Sequence, residues 1–245
     1  MQALTAYQLS ELWEWGQNKH PVDRALGLLT LAHPDLQPEQ IAALTIGQRN
    51  ARLLTLREAT LGPTLNGYAE CSQCGEKLEF AVEVAAIRLP EPQAAEFTVT
   101  IEEYDLHCRL PNSADLAAIV GQHDVEAARQ LLIDRCILHA QQGGNTVGQN
   151  DLPNQIIPVL ADAITARDPM AEMRFELECP ACGQVWSALF DIVSFFWNEL
   201  GDRVKRLYYD VHQLAQAYGW SEAEILLMTS QRRQFYLDLI TPRDD

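Results

Sequence analysis

The chain has 245 residues and a formal net charge of −16, from 34 acidic and 18 basic side chains, and 47% of its residues are hydrophobic. That apolar share can build a core in one large domain or two small ones, and no apolar run is long enough to span a bilayer. The acidity argues against a nucleic-acid partner, because such surfaces carry a basic patch and here Lys and Arg are scattered, with Arg232-Arg233 a dense pair near the end.

The first third reads as helices. Thr5 and Gln8 form a capping box, Leu4 can staple to Leu9, and Leu9, Leu12, Trp13 and Trp15 give an apolar face with one Trp left near the surface. Pro21 suits the first position of a second helix, whose periodic residues are Val22, Leu26, Leu29 and Leu31, and His33-Pro34 ends it. A short helix follows Pro38. Thr45 and Gln48 then open a helix over 46–61, stopped by Gly62-Pro63.

Two short stretches with one pattern come next and later: Cys71-Ser-Gln-Cys74-Gly75 and Cys179-Pro-Ala-Cys182-Gly183. Around the first, Leu65, Tyr68 and Ala69 lead in, and Leu78, Phe80, Val82 and Val84 alternate out, which is the period of a half-buried strand. Past Pro90 and Pro92, residues 97–101 and 104–110 alternate again and are expected to pair as a hairpin beside the ribbon sheet. Asn112 or Ser113 caps a short helix. Asp124 opens a longer one with Val125, Ala128, Leu132, Cys136 and His139 on one stripe. Residues 141–151 read as a polar loop with Gly143-Gly144 as a flexible linker, and Pro153 starts a helix through Ile164.

The second pair is flanked by alternating Met173, Phe175 and Leu177 before it and residues 185–190 after it. Asp191 caps a long helix carrying Phe195, Phe196, Leu200, Val204, Leu207, Tyr208 and Val211. Because Phe195-Phe196-Trp197 covers most of its circumference, either the helix is deeply buried or one ring faces a partner. Ser221 and Glu224 form the last capping box, with Trp220 stapled to Ile225. A final helix holds Phe235, Tyr236, Leu239 and Ile240, and a polar tail with Asp244-Asp245 follows.

The spacing of the two pairs carries chemistry. Zn²⁺ in a structural site takes four ligands in a tetrahedron, and Cys-x-x-Cys lets one tight turn offer two thiolates. Cys71, Cys74, Cys179 and Cys182 are therefore the candidate ligands of a structural Zn²⁺ in a zinc ribbon split between two distant halves. The competing readings are two metal-free turns or two redox pairs, but neither pair has a thioredoxin-like βαβ context. Four thiolates leave the metal no open position, which argues against an enzyme. Cys108 and Cys136 read as core residues. There is no HExxH pair, no phosphate loop and no nucleophile elbow.

The expected fold is α+β: mainly helical, with a small antiparallel sheet built around the split four-Cys ribbon. Its parts are an N-terminal helical region (1–63), the ribbon sheet (64–110 and 172–190), a helical insertion (111–171) and C-terminal helices (191–245), interlocked as one unit. Unpaired thiols and a start lacking the basic and apolar parts of a signal peptide suggest a reducing cytoplasm.

Several of these stretches, taken in order, resemble a known family. They are Leu44 to Glu58 closed by Leu61-Gly62, Arg109-Leu-Pro-Asn-Ser-Ala-Asp115, the two knuckles, Ala188-Leu-Phe-Asp191, Ala217 to Ile225, and Gln231-Arg-Arg-Gln-Phe-Tyr-Leu237. The chain resembles the baseplate hub assembly chaperone-like proteins of contractile-tail phages and phage-tail-like injection systems. The resemblance implies a non-enzymatic assembly factor or minor component of a baseplate hub, with baseplate or hub proteins as partners and the assembled particle as a second location. It also places Cys71, Cys74, Cys179 and Cys182 at the family's knuckle positions. The C-terminal helices are the expected docking surface, with Trp197, Tyr209, Trp220, Arg232 and Arg233 as candidate contacts. The alternative is a zinc-ribbon adaptor that binds nucleic acid or a transcription complex.

Overall fold

A computed structural model describes residues 2–92, 94–148 and 151–240; the Asp244-Asp245 pair lies outside them, as do residues 149–150 of the polar loop. The spine is one helix, α9 (Ile192–Tyr218), capped by Asp191 and stopped by Gly219, whose positive φ of 69° suits a glycine C-terminus. Against its first half pack α1 (Ala6–Gly16), α2 (Pro21–Ala32) and α4 (Ile46–Leu61), while α3 (Pro38–Ala42) packs on α2. Both capping boxes expected in this region are formed, at Thr5–Gln8 and Thr45–Gln48. The first core lies among these helices, around Leu28, Leu29, Leu53, Leu54, Leu56 and Phe196. Leu31, expected on the apolar face of α2, is exposed; the buried stripe runs through Val22, Ala25, Leu28, Leu29 and Ala32.

Two hairpins rise from this helical frame. In one, β1 (Thr64–Glu70) pairs antiparallel with β2 (Lys77–Glu83); in the other, β7 (Met173–Glu178) pairs with β8 (Val185–Phe190). They remain separate two-stranded sheets, and side chains link them. Phe80 meets Phe175 edge-on at 5.8 Å between centroids, Phe175 meets Phe190 at 5.0 Å, and Phe190 meets Phe195 on α9 at 5.2 Å. This aromatic chain anchors both hairpins to the spine; such ring pairs contribute roughly 0.5–1.5 kcal/mol each beyond their buried area.

Between the hairpins the chain builds a second core. After α5 (Val84–Ile87), β3 (Glu96–Ile101) and β4 (Tyr104–Arg109) pair as expected. They do not extend the ribbon. They belong to a four-stranded sheet with β5 (Ile137–Gln142) and β6 (Asn145–Thr146), in the order β3-β4-β5-β6. The sheet packs with α7 (Val125–Cys136) and α8 (Ile156–Arg167) around Leu106, Cys108, Cys136, Ile156 and Leu160. The helix α6 (Ser113–Ile119) precedes α7. His139 therefore lies exposed in β5 and not on a helical stripe, because α7 ends three residues earlier. Gly143 and Gly144 are not a flexible linker: with φ of 56° and 83° they form the two-residue turn joining β5 to β6.

A third, smaller core holds the end of α9 to α10 (Glu222–Leu226) and α11 (Ser230–Ile240) through Leu207, Leu214, Ile225 and Leu237. The Ser221–Glu224 capping box is formed at the start of α10. No helix among the described residues is long and apolar enough to cross a membrane.

Candidate metal centre

The two knuckles are built alike. Cys71 N–H donates to Glu76 O and Gly75 N–H to Cys71 O, at 2.9 and 2.8 Å; Cys179 N–H donates to Gln184 O and Gly183 N–H to Cys179 O, both at 2.9 Å. Closing so tight a turn takes left-handed backbone at the residue after the second Cys. Gly75 and Gly183 supply it, with φ of 72° and 70°.

The hairpins bring the knuckles head to head. Cys71 Sγ lies 3.7 Å from Cys182 Sγ and Cys74 Sγ 3.5 Å from Cys179 Sγ, and all four sulfurs fall within 4.8 Å of one another. Four sulfurs each about 2.3 Å from one ion at tetrahedral angles stand roughly 3.8 Å apart. The donor set therefore fits a tetrahedral thiolate centre and could hold a metal ion. Cys71 and Cys179 are buried, while Cys74 and Cys182 are exposed.

Backbone amides are already aimed at the sulfurs. Hydrogen bonding from Cys74 N–H, with help from Gln73 N–H, brings the Cys71 thiol down to about 7 against the opposing effect of burial. Glu76 N–H pulls Cys74 in the same direction, but Cys179, burial and the other two thiols outweigh it and push Cys74 up to about 12. Gln184 N–H acts likewise on Cys182, whose pKa is nonetheless raised, by burial and by Cys179 and Cys71. Four adjacent thiols cannot all ionise by themselves; a bound dication supplies the charge that lets them. The other two cysteines are unlike these. Burial pushes Cys108 up to about 11 and Cys136 to about 12, as expected of inert thiols inside the second core.

The residues expected on a docking surface divide. Trp197 is 6% exposed: its ring fills the space beside Gly16, with the Arg24 guanidinium 4.7 Å from its centroid, so it packs α9 onto α1 and α2 and is not available to a partner. Phe196 beside it is fully buried and Phe195 is half-buried against Phe190, so the aromatic run packs inward while α9 keeps an exposed face at Ser194, Asn198 and Asp202. Arg233 is 5% exposed and turned inward, donating to Met228 O at 2.7 Å. Tyr209 is 63% exposed. Trp220 stacks on Tyr218 at 4.5 Å and meets Tyr236 edge-on at 4.8 Å, with the Arg232 guanidinium 5.8 Å from the Tyr236 ring. Exposed Leu227, Phe235 and Leu239 belong to the same C-terminal helices and their links.

Buried polar anchors escaped the sequence reading. Asp115 is fully buried and accepts from Arg109 and Arg135. Asp168 accepts from Gly47 N–H at 2.9 Å, Asn50 donates to Met170 O at 3.0 Å, and Arg57 forks onto Glu199 at 2.6 and 2.8 Å. Charged residues amid an apolar run, such as Arg49, Arg52 and Arg57 on α4, were the available signal. Of these, Arg49 and Arg57 are buried.

The fold and the centre together define an α+β protein in which a helical frame presents a four-thiol cluster from two hairpins. A family model described as T4 bacteriophage base plate protein matches residues 32–197, which include both knuckles, the whole four-stranded sheet and the first turns of α9. The chain belongs to this family and is a phage baseplate-related protein. No curated protein and no solved structure gives a match.

Proposed function

We propose that the chain is a non-catalytic assembly factor, or a minor component, of the baseplate hub of a contractile tail, and that Cys71, Cys74, Cys179 and Cys182 hold a structural Zn²⁺. The observation that carries this reading is membership of the baseplate family over a stretch that contains all four thiols. Zinc bound by four thiolates supplies a closed tetrahedral cross-tie with no position open to a substrate. The chain's own residues do the remaining work: the knuckle amides orient the sulfurs, and the aromatic chain from Phe80 to Phe195 fixes the hairpins to α9.

Baseplate or hub proteins are the partners in this reading. The C-terminal helices offer the surface, through Tyr209, Trp220 and Arg232 together with Phe235 and Leu239. The net charge of −16 supports a protein partner over nucleic acid, in a phage or a tail-like injection system. Quantitative mass spectrometry of purified particles beside the cell lysate tests the reading. A fixed ratio to hub subunits in the particles marks a structural component. Co-purification with a hub subunit from lysate, with absence from finished particles, marks an assembly factor. Association with neither overturns both.

A further inference from the structure

A recess of about 490 Å³ opens where the first turn of α1 meets α9 and the link between α10 and α11. None of the four clustered cysteines lines it. Its charge is the reverse of the whole chain's: two guanidinium groups, Arg203 and Arg233, border it with one carboxylate, Asp210. Two helix N-termini open onto it as well, through Thr5, Ala6 and Tyr7 of α1 and through Thr229 and Ser230 at the start of α11. Helix N-termini attract anions because their first amides lack intrahelical acceptors and the helix dipole is positive there. In α1 the capping box satisfies Gln8 N–H and leaves the amides of Ala6 and Tyr7 without such an acceptor.

Arg233 is the decisive residue. One terminal nitrogen donates to Met228 O, but its buried Nε has no acceptor among the described residues. That Nε is out of reach of the recess, which Arg233 and Arg203 line with the rest of their side chains as guanidinium donors that a carboxylate can pair with. Burial disfavours the Arg233 charge, Asp210 supports it and Arg203 opposes it, so two positive groups face one negative group. Leu4, Leu9, Leu207 and Leu226 give the recess an apolar wall.

We propose that this recess binds a carboxylate side chain of a protein partner, presented beside an aliphatic residue, with Arg233 and Arg203 as its guanidinium contacts. The apolar wall favours a polypeptide segment over free phosphate, and the acidity of the chain disfavours a polyphosphate backbone. The proposal rests on the baseplate reading only for the identity of the partner.

The full chain, labelled with ¹⁵N, is titrated with acetyl-Leu-Glu-Leu-amide, with its Gln counterpart and with inorganic phosphate, following the amides of Ala6, Tyr7 and Ser230. Saturable shifts are expected with the Glu peptide alone, weakened at least about tenfold by Arg233→Gln and by Arg203→Gln. Arg203 is exposed, so its variant keeps the test decisive if Arg233→Gln does not fold. Absence of saturable shifts, equal shifts from the Glu and Gln peptides, or phosphate acting as well as the peptide would overturn the proposal. The particle measurement is independent: its failure removes the baseplate reading and leaves the site, and failure here removes the site alone.

Discussion

Asp115 is fully buried, and its carboxylate accepts from Arg109 at 2.5 and 2.8 Å, from Arg135 at 2.8 Å and from Asn112 N–H at 2.9 Å, while its own N–H donates to Asn112 Oδ1 at 3.2 Å. Burial alone would raise its pKa; the bonds from Arg109, Asn112 and Arg135 outweigh it and hold the carboxyl below its ordinary 3.8. A depressed folded pKa contributes stability above the unfolded value that is lost as pH falls through the folded one, so this contribution fades in acid below about pH 4. Asp115→Ala is expected to cost about 3 kcal/mol in urea unfolding at pH 7, since it leaves the largely buried Arg109 without its carboxylate partner, and Asp115→Asn to flatten the acid side of the stability curve. Asp168 acts in the opposite sense: burial raises its pKa, so its contribution is fully present below the unfolded value and is lost as pH rises through the folded one. It sits against Gly47 so closely that a β-carbon there would overlap the carboxylate. Gly47→Ala should therefore destabilise by roughly 1–3 kcal/mol, read as a lowered urea midpoint. At this scale, what the sequence disclosed was local. The capping residues Thr5, Thr45 and Ser221 act within four residues of themselves, whereas the partner of Gly47, Asp168, lies 121 positions along the chain.

The hairpins and β5 differ in the same way as elements. Period-two alternation in residues 78–84 and 173–177 and the glycine after each second Cys announced the knuckles, because their closure is set within a few residues. The strand β5 was hidden, since Ile137-Leu-His-Ala-Gln-Gln142 contains good helix formers and continues the apolar pattern of α7; pairing with β4 overrides that preference. A bulge between His107 and Cys108 shifts the register there, which further blurs the alternation. The turn that makes the hairpin is testable. Gly144→Ala places a β-carbon at φ of 83° and should cost about 1 kcal/mol, with amide exchange accelerated in β5 and β6 while the ribbon hairpins are unaffected. Equal acceleration in β1 and β2 would contradict the separation of the two sheets.

For the whole molecule, a metal ion held by the four thiols would join Cys71 to Cys182 across 111 positions and make everything between the two knuckles a closed loop. By the loop-closure argument, a tie of that length stabilises the folded chain by on the order of 4 kcal/mol, or about 10 °C in Tm for a chain of this size. The buried thiols of the second core offer the control: Cys136→Ala removes one sulfur from a packed site and should cost only about 1–2 kcal/mol. The most direct measurement is the zinc-to-protein ratio, by plasma mass spectrometry, of the purified wild type, Cys182→Ser and Cys136→Ala, each followed by a thermal melt with and without chelator. A zinc site at the four thiols predicts one zinc per chain in the wild type and in Cys136→Ala, and its loss with a drop of about 10 °C in Cys182→Ser or on chelation. A wild type purified without zinc that melts identically with added zinc, or equal zinc content in Cys182→Ser, would contradict it.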